Sequence, residues 1–251
     1  MELIHLIIFL IIVFFSNFFA SIVGGASLLI LPAMLILGIP ADITVATNRF
    51  HRVFATGTSS ITYLRKIKVN YKLLFWYCLI SIIGGVLGAF IVLSLNESIL
   101  KLIVSIFLLI LGVYFIFNKD LGIKDSKAKP NKLVSYIVLF ILGVYRTIVG
   151  SAAGTFTRAY LIISDKLTFL QSATFGSTIG FAINIFASIV FIFAGIIDYW
   201  LAFYMIIVGI LGSYLGAKTA MKKGNKFIRR LFLLLVVIIS IRLLISVIFG
   251  K

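Results

Sequence analysis

Acidic side chains are scarce in this chain. Asp and Glu together number 7 against 23 Lys and Arg, His occurs twice, Cys once, and charged residues make up only 12% of the 251. Each shortage excludes a class of function. The lone Cys78 can form no internal disulfide, and it sits in an apolar segment as filler; no Cys/His cluster exists to hold a metal. No Walker A loop and no Ser-His-Asp order is present, so neither ATP-driven transport nor a familiar hydrolase is supported, and no cofactor is implied. Strand-length alternation of apolar and polar residues is missing, which excludes a membrane β-barrel.

What the chain has instead is apolar sequence, 62% of its residues. A soluble domain of this length cannot bury that much apolar surface, so the class is an all-α, multi-pass membrane protein. The formal net charge of +16 sits mostly in short loops. There it sets orientation and meets anionic lipid head groups, and it does not indicate nucleic acid. The first apolar run is too long for a signal peptide and leads straight into more membrane sequence, so the start reads as mature protein.

The pattern divides into ten apolar segments, five on either side of a polar loop. Segments a to e cover about 3–23, 26–38, 42–63, 71–94 and 98–117; a′ to e′ cover about 133–149, 152–164, 168–194, 199–221 and 226–249. This gives a first membrane repeat at 1–117, a Lys-rich linker at 118–132 containing Asp120, Asp125 and Pro130, and a second repeat at 133–251. Segments b and b′ are too short to cross a bilayer, which takes roughly 20 residues, and read as half-helices or re-entrant pieces.

The halves resemble each other. Ser21 to Ala26 (SIVGGA) answers Thr147 to Ala152 (TIVGSA), Val45-Ala46-Thr47 answers Ser172-Ala173-Thr174, Asn70-Tyr71 answers Asp198-Tyr199, and Gly84 to Ala89 answers Gly212 to Ala217. The offset stays at 126–128 residues throughout, which points to duplication. Loop charge then orients the halves. The c–d loop carries Arg65, Lys66 and Lys68, but its counterpart at 194–198 carries no basic residue. The d–e loop around Asn96 and Glu97 is nearly uncharged, whereas its counterpart holds Lys218, Lys222, Lys223, Lys226, Arg229 and Arg230. Basic loops stay in the cytoplasm, so equivalent loops lie on opposite sides and the repeats have inverted topology. The 118–132 loop is then cytoplasmic, both termini lie outside, and the membrane is the cell membrane. Either all five segments of a half cross, or the first two form a hairpin. The oligomeric state stays open.

Inverted repeats with broken helices near their starts are an architecture of secondary transporters, whose substrate sites lie at the repeat interface. The glycine breaks at Gly24–Gly25 and at Gly150–Ser151 stand before b and b′. Freed N–H groups at a helix start attract anions, although each break taken alone also fits close packing of helices. Segment c carries Thr44, Thr47, Asn48, Arg49, His51, Arg52 and Ser59; the second half carries Arg146, Arg158, Gln171, Thr174, Ser177, Thr178 and Asn184. Arginines inside membrane segments are costly and usually face a bundle interior. Asp42, Asp165 and Asp198 all sit at segment edges, so four intramembrane arginines lack acids. Buried cations need a counter-charge, and a small anionic substrate would supply it. The expected ligands are Gly24, Gly25, Thr47, Asn48, Arg49, Arg52, Arg146, Gly150, Ser151, Arg158 and Thr174, with His51 the one obvious group for proton coupling. Gly84, Gly85, Gly88, Gly212 and Gly216 read as packing seams, and Trp76, Tyr77, Tyr199 and Trp200 as interface anchors.

The order of these motifs resembles the TauE/SafE family of membrane permeases. Its carriers are Val23-Gly24-Gly25-Ala26, Leu31-Pro32, Leu37-Gly38-Ile39-Pro40 leading into Val45-Ala46-Thr47-Asn48, Tyr63-Leu64, Val69-Asn70-Tyr71 and Gly84 to Ala89. The second half repeats the order through Ala173-Thr174, Gly195, Asp198-Tyr199 and Gly212 to Ala217. Against the family pattern the first glycine run is shorter, Ala46-Thr47-Asn48 replaces a Gly-Thr-Ser, and Arg158 stands where an apolar residue and proline are common. The resemblance implies an exporter of sulfite or a small organosulfonate. An anion channel or uptake permease of the same fold is the alternative, and a lipid-handling intramembrane enzyme is disfavoured by the lack of acids and nucleophile–base pairs.

Overall fold

The protein is described from a computed structural model that places residues 3–91, 131–148, 150 and 153–248. Segment e, nearly all of the 118–132 linker and Ser151 lie outside the described residues. The described chain is helical, with α1 at Leu3–Val23, α2 at Ser27–Ile36, α3 at Ala41–Leu64 and α4 at Tyr71–Ile91. After the linker come α5 at Lys132–Ile148, α6 at Ala153–Ile163, α7 at Phe169–Phe193 and α8 at Tyr199–Ile248. Four of these, α1, α4, α7 and α8, are long and apolar enough to cross a membrane. At 24 residues α3 is equally long, but Asp42, Arg49 and Arg52 make it polar.

The short segments are short helices. With 10 and 11 residues, α2 and α6 reach only about 15–17 Å at 1.5 Å per residue, half of a hydrocarbon core. Both fold back on the helix before them. Ile30 and Met34 of α2, with Ala26 just before it, share one apolar cluster with Phe9, Val13 and Ala20 of α1. At the far end of α6, Tyr160 Oη donates to Ser135 Oγ in the first turn of α5 at 3.1 Å. The hairpin is therefore the arrangement adopted. Its reversals fall at Gly24 and Gly25 (φ +95° and +86°) and at Gly150 (φ +67°), backbone that L side chains rarely adopt.

The repeated Asx-Tyr pairs have a local cause. Asn70 Oδ1 accepts from Leu73 N at 3.1 Å and Asp198 Oδ1 from Leu201 N at 2.9 Å. Each side chain thus satisfies a free N–H at the start of α4 or α8. A capping box of Thr168 and Gln171 starts α7, and Asn225 Oδ1, just past the break in α8 at Gly224, accepts from Leu170 N at 2.9 Å.

The glycine seams also repeat. A Cβ on Gly84 would run into Phe140 O of α5, and one on Gly88 would meet Val144 O at 2.5 Å. On α8 the same role falls to Gly212 against Phe14 O and Gly216 against Phe18 O of α1. The fourth helix of each half thus packs on the first helix of the other, at the same offset as the sequence repeat. At the centre α3 meets α7, with Ser60 Oγ 2.7 Å from Thr178 Oγ1 and Asn184 Nδ2 donating to Thr56 Oγ1 at 3.4 Å.

Burial is distributed as a membrane requires. Ile8, Phe15, Phe75, Phe90, Ile141, Phe203 and Leu211 are exposed, while Asn17, Asn48, Arg49, His51, Arg146, Arg158 and Asn184 are buried. Lipid solvates the first set; the second must find partners inside the bundle.

Candidate functional site

Arg158 stands midway along the half-helix α6 and points back toward the end of α1. Its Nη2 donates to Ser21 O at 3.1 Å and to Ser177 Oγ at 3.2 Å. Its Nε and Nη1 are buried and have no partner. Arg146, in the last turn of α5, donates from Nη1 to Gly176 O at 3.4 Å. Arg52 of α3 leaves a buried Nη1 without a partner. These three guanidiniums line one small cavity together with Asn17, Ala20, Ser21, Gly24, Thr56, Ser59, Gly154, Gly176, Ser177 and Ser213.

Small residues create the room. A Cβ on Gly176 would lie 2.9 Å from Arg158 Cγ, and one on Gly180 would collide with Arg146 Nη1. The first glycine break meets the first turn of α6 at the rim, where a Cβ on Gly24 would lie 2.5 Å from Thr155 N. Thr155 Oγ1 closes the contact by donating to Val23 O at 3.3 Å.

The electrostatics are one-sided. No carboxylate lines the cavity among the described residues. The buried Asp165 is taken by Tyr77 and Ser135, and Asp198 caps α8. Three like charges around one space repel each other, and the low-dielectric surroundings strengthen the repulsion. Hydroxyl and carbonyl dipoles offset part of this; the unpartnered N–H groups remain donors for an anion. The cavity holds about 20 Å³, room for about one water molecule. Among the described residues no group of His, Cys, Asp or Glu is placed to hold a metal.

Of the residues the sequence singled out, Gly24, Arg52, Ser59, Arg146, Arg158 and Ser177 line this cavity. The others sit around it. Arg49 donates from Nη2 to Arg146 O and, at 3.2 Å, to Thr147 O, so its charge meets the negative end of α5. It also occupies the space that the missing side chain of Gly150 leaves. Thr47 Oγ1 accepts from Asp198 N at 3.0 Å, Asn48 Nδ2 donates to Ser27 Oγ at 3.1 Å, and Thr174 Oγ1 donates to Leu170 O at 2.9 Å. Gly25 is half-buried beside Gly24. His51 is buried with Nε2 3.3 Å from Asn17 Nδ2, and its Nδ1 has no partner.

Sequence reasoning did not single out Asn17, Thr56, Gly176 or Ser213 for this site. Asn17 had a readable signal, being the one amide in the apolar run at 3–23, where an amide is expensive unless the bundle supplies it with partners. The glycines of α7 had none, because their role depends on which arginine lies over them.

A family model described as sulfite exporter TauE/SafE matches residues 8–243. The chain belongs to the TauE/SafE family. Among curated relatives it is 30% identical over 96% of its length to a probable membrane transporter protein of Sinorhizobium, covering 93% of that protein. It is 29% identical to one from Haemophilus influenzae, over 86% of this chain and 85% of the relative. With the probable membrane transporter YfcA of Escherichia coli the identity is 24%, over 91% of this chain and 86% of the relative. No solved structure matches the chain. This TauE/SafE chain is therefore a multi-pass membrane transporter and not an enzyme.

Proposed function

We propose that this TauE/SafE chain is a secondary transporter that exports a small sulfur-containing oxyanion, such as sulfite or an organosulfonate. The observation that carries the reading is the shared cavity of Arg52, Arg146 and Arg158, which has free guanidinium N–H groups and, among the described residues, no acid. Oxyanion oxygens would accept from these groups, from the lining hydroxyls and from backbone N–H groups at the breaks around Gly24 and Gly150. A bidentate guanidinium suits the O–S–O edge of such an anion. Thr47, Asn48, Arg49 and Thr174 would hold the frame, with Arg49 adding positive potential to the rim.

The two halves would be inverted repeats, with the 118–132 loop cytoplasmic and both termini outside. The repeated seams at Gly84 and Gly212, and the basic residues present in only one loop of each equivalent pair, support this. A cavity for one water is too small for sulfite, so the described conformation would be an occluded one that must open to one side. Export would follow the membrane potential, worth about 2.3 kcal/mol per charge at 100 mV.

The test is flux into and out of proteoliposomes containing the full chain, with sulfite, sulfoacetate and sulfate in parallel. Saturable flux of at least one, lost in Arg158→Ala, is expected. Absence of movement for all three sinks the reading, and rates beyond alternating access replace the transporter with a channel.

A further inference from the structure

Asn17 of α1 is 1% exposed and lines the arginine cavity. Its Nδ2 donates to Val13 O, one turn back on the same helix, at 2.8 Å. A carbonyl oxygen only accepts, so this bond decides which end of the amide is nitrogen. The same Nδ2 lies 3.3 Å from His51 Nε2 of α3. With one amide hydrogen on Val13 O, the other points at the ring, and a hydrogen on Nε2 would set two donors face to face. His51 is therefore neutral, with its hydrogen on Nδ1. Gly209 of α8 backs the pair: a Cβ there would lie 3.3 Å from His51 Cδ2 and 3.4 Å from Asn17 Nδ2.

Both hydrogens of the amide are thus spent, and Oδ1 keeps its two lone pairs. Among the described residues no donor reaches it. Asn48 Oδ1 and Asn184 Oδ1 also lack partners, but both are sealed inside the protein and neither residue lines the cavity. Two backbone carbonyls of the lining are already taken, Ser21 O by Arg158 and Tyr63, and Gly176 O by Arg146. The three guanidiniums only donate.

We propose that Asn17 Oδ1, held in this orientation by His51, is the acceptor by which the site selects an anion carrying a hydrogen of its own. Hydrogensulfite and a hydroxyl-bearing sulfonate belong to that class; sulfate, whose oxygens are all bare, does not. The inference rests on the sulfur-oxyanion reading, in which the anion enters when the cavity opens. Arginines favour bare oxygens, which accept from them. Oδ1 favours the reverse, since a ligand hydrogen bonds to it, whereas a bare oxygen sets lone pair against lone pair. Arginine thus supplies the attraction and the amide the choice. A buried acceptor left unpaired in the complex is worth about tenfold in affinity.

Binding to the full chain purified in detergent tests this with two pairs of anions. Hydrogensulfite is set against sulfate at mildly acid pH. Hydroxymethanesulfonate is set against ethanesulfonate, which has the same charge and nearly the same shape, with a methyl group in place of the hydroxyl. The rise of the thermal midpoint with anion concentration gives each dissociation constant. The wild type should bind the hydrogen-bearing member of each pair about tenfold more tightly. Asn17→Leu keeps the volume without the acceptor, and should lose the preference by weakening the hydrogen-bearing member alone. His51→Leu removes one anchor of the amide and should shrink the preference; His51→Gln keeps an acceptor there and should retain it. Equal binding within both pairs by the wild type, or an unchanged preference in either leucine variant, overturns the proposal. Failure of all four anions to bind sinks the sulfur-oxyanion reading itself, and this inference with it.

Discussion

Arg158 and Gly176 act as a pair. The side chain lies across the helix surface that the glycine leaves bare, so a methyl group there moves the guanidinium before it disturbs the backbone. Gly176→Ala is expected to cut transport well below half while the thermal midpoint falls little. Fluorescence-detected unfolding beside a flux assay reads both, and equal losses in the two would mean the pair is only packing. Arg158→Lys should fail to restore binding, because an ammonium lacks the planar fork that reaches Ser21 O, Ser177 Oγ and a ligand together. Asp165 makes a prediction about pH. Its carboxyl is raised in the fold, so the native state binds that proton more tightly than the unfolded state does. This contribution to stability is fully present below the ordinary carboxyl value of about 3.9 and is lost as pH rises through the raised one. The melting temperature of the wild type relative to Asp165→Asn should therefore fall as pH rises across that window; a flat difference would refute the shift.

Helices meet here through glycine where backbones touch. Gly84 of α4, packed against α5, and Gly212 of α8, packed against α1, admit no side chain without displacing a carbonyl. Replacing either by leucine should cost about 2 kcal/mol or more through overpacking, seen as loss of the folded peak in detergent gel filtration. Gly224 differs. A Cβ on it would meet nothing within 4 Å, but its backbone at φ +76° and ψ −175° belongs to a glycine-only region. Gly224→Ala should cost about 2 kcal/mol from strain alone, and should loosen the bond of Asn225 to the start of α7. Loss of one N-cap, in Asn70→Ala or Asp198→Ala, is worth about 1 kcal/mol each, measurable as shifts in thermal midpoint. The half-helices α2 and α6 were legible as elements because thirteen apolar residues between breakers are too few to cross. Their hairpin geometry was not, since length alone fits a crossing with a tilted neighbour as well as a return.

Across the whole molecule, the proposed inversion has a direct test. In a Cys78→Ser background, Ile67→Cys in the basic loop and Ile196→Cys in its counterpart, which has no basic residue, should react with an impermeant thiol reagent from opposite sides of the membrane. Labelling from the same side would remove the inverted arrangement and with it the assignment of the cytoplasmic end. Membrane class, helix positions, both glycine breaks and the excess of arginine over acid were readable from composition and spacing, because a bilayer penalises every polar group and so leaves each exception visible. Which arginine does what was decided only by the folded chain. Arg49 and Arg52 lie three residues apart on one helix, yet one caps the end of α5 and the other lines the cavity. A guanidinium settles on whichever acceptors the packing brings within reach, and here those acceptors come from residues 97 and 137 positions away. No local period in the sequence carries that information.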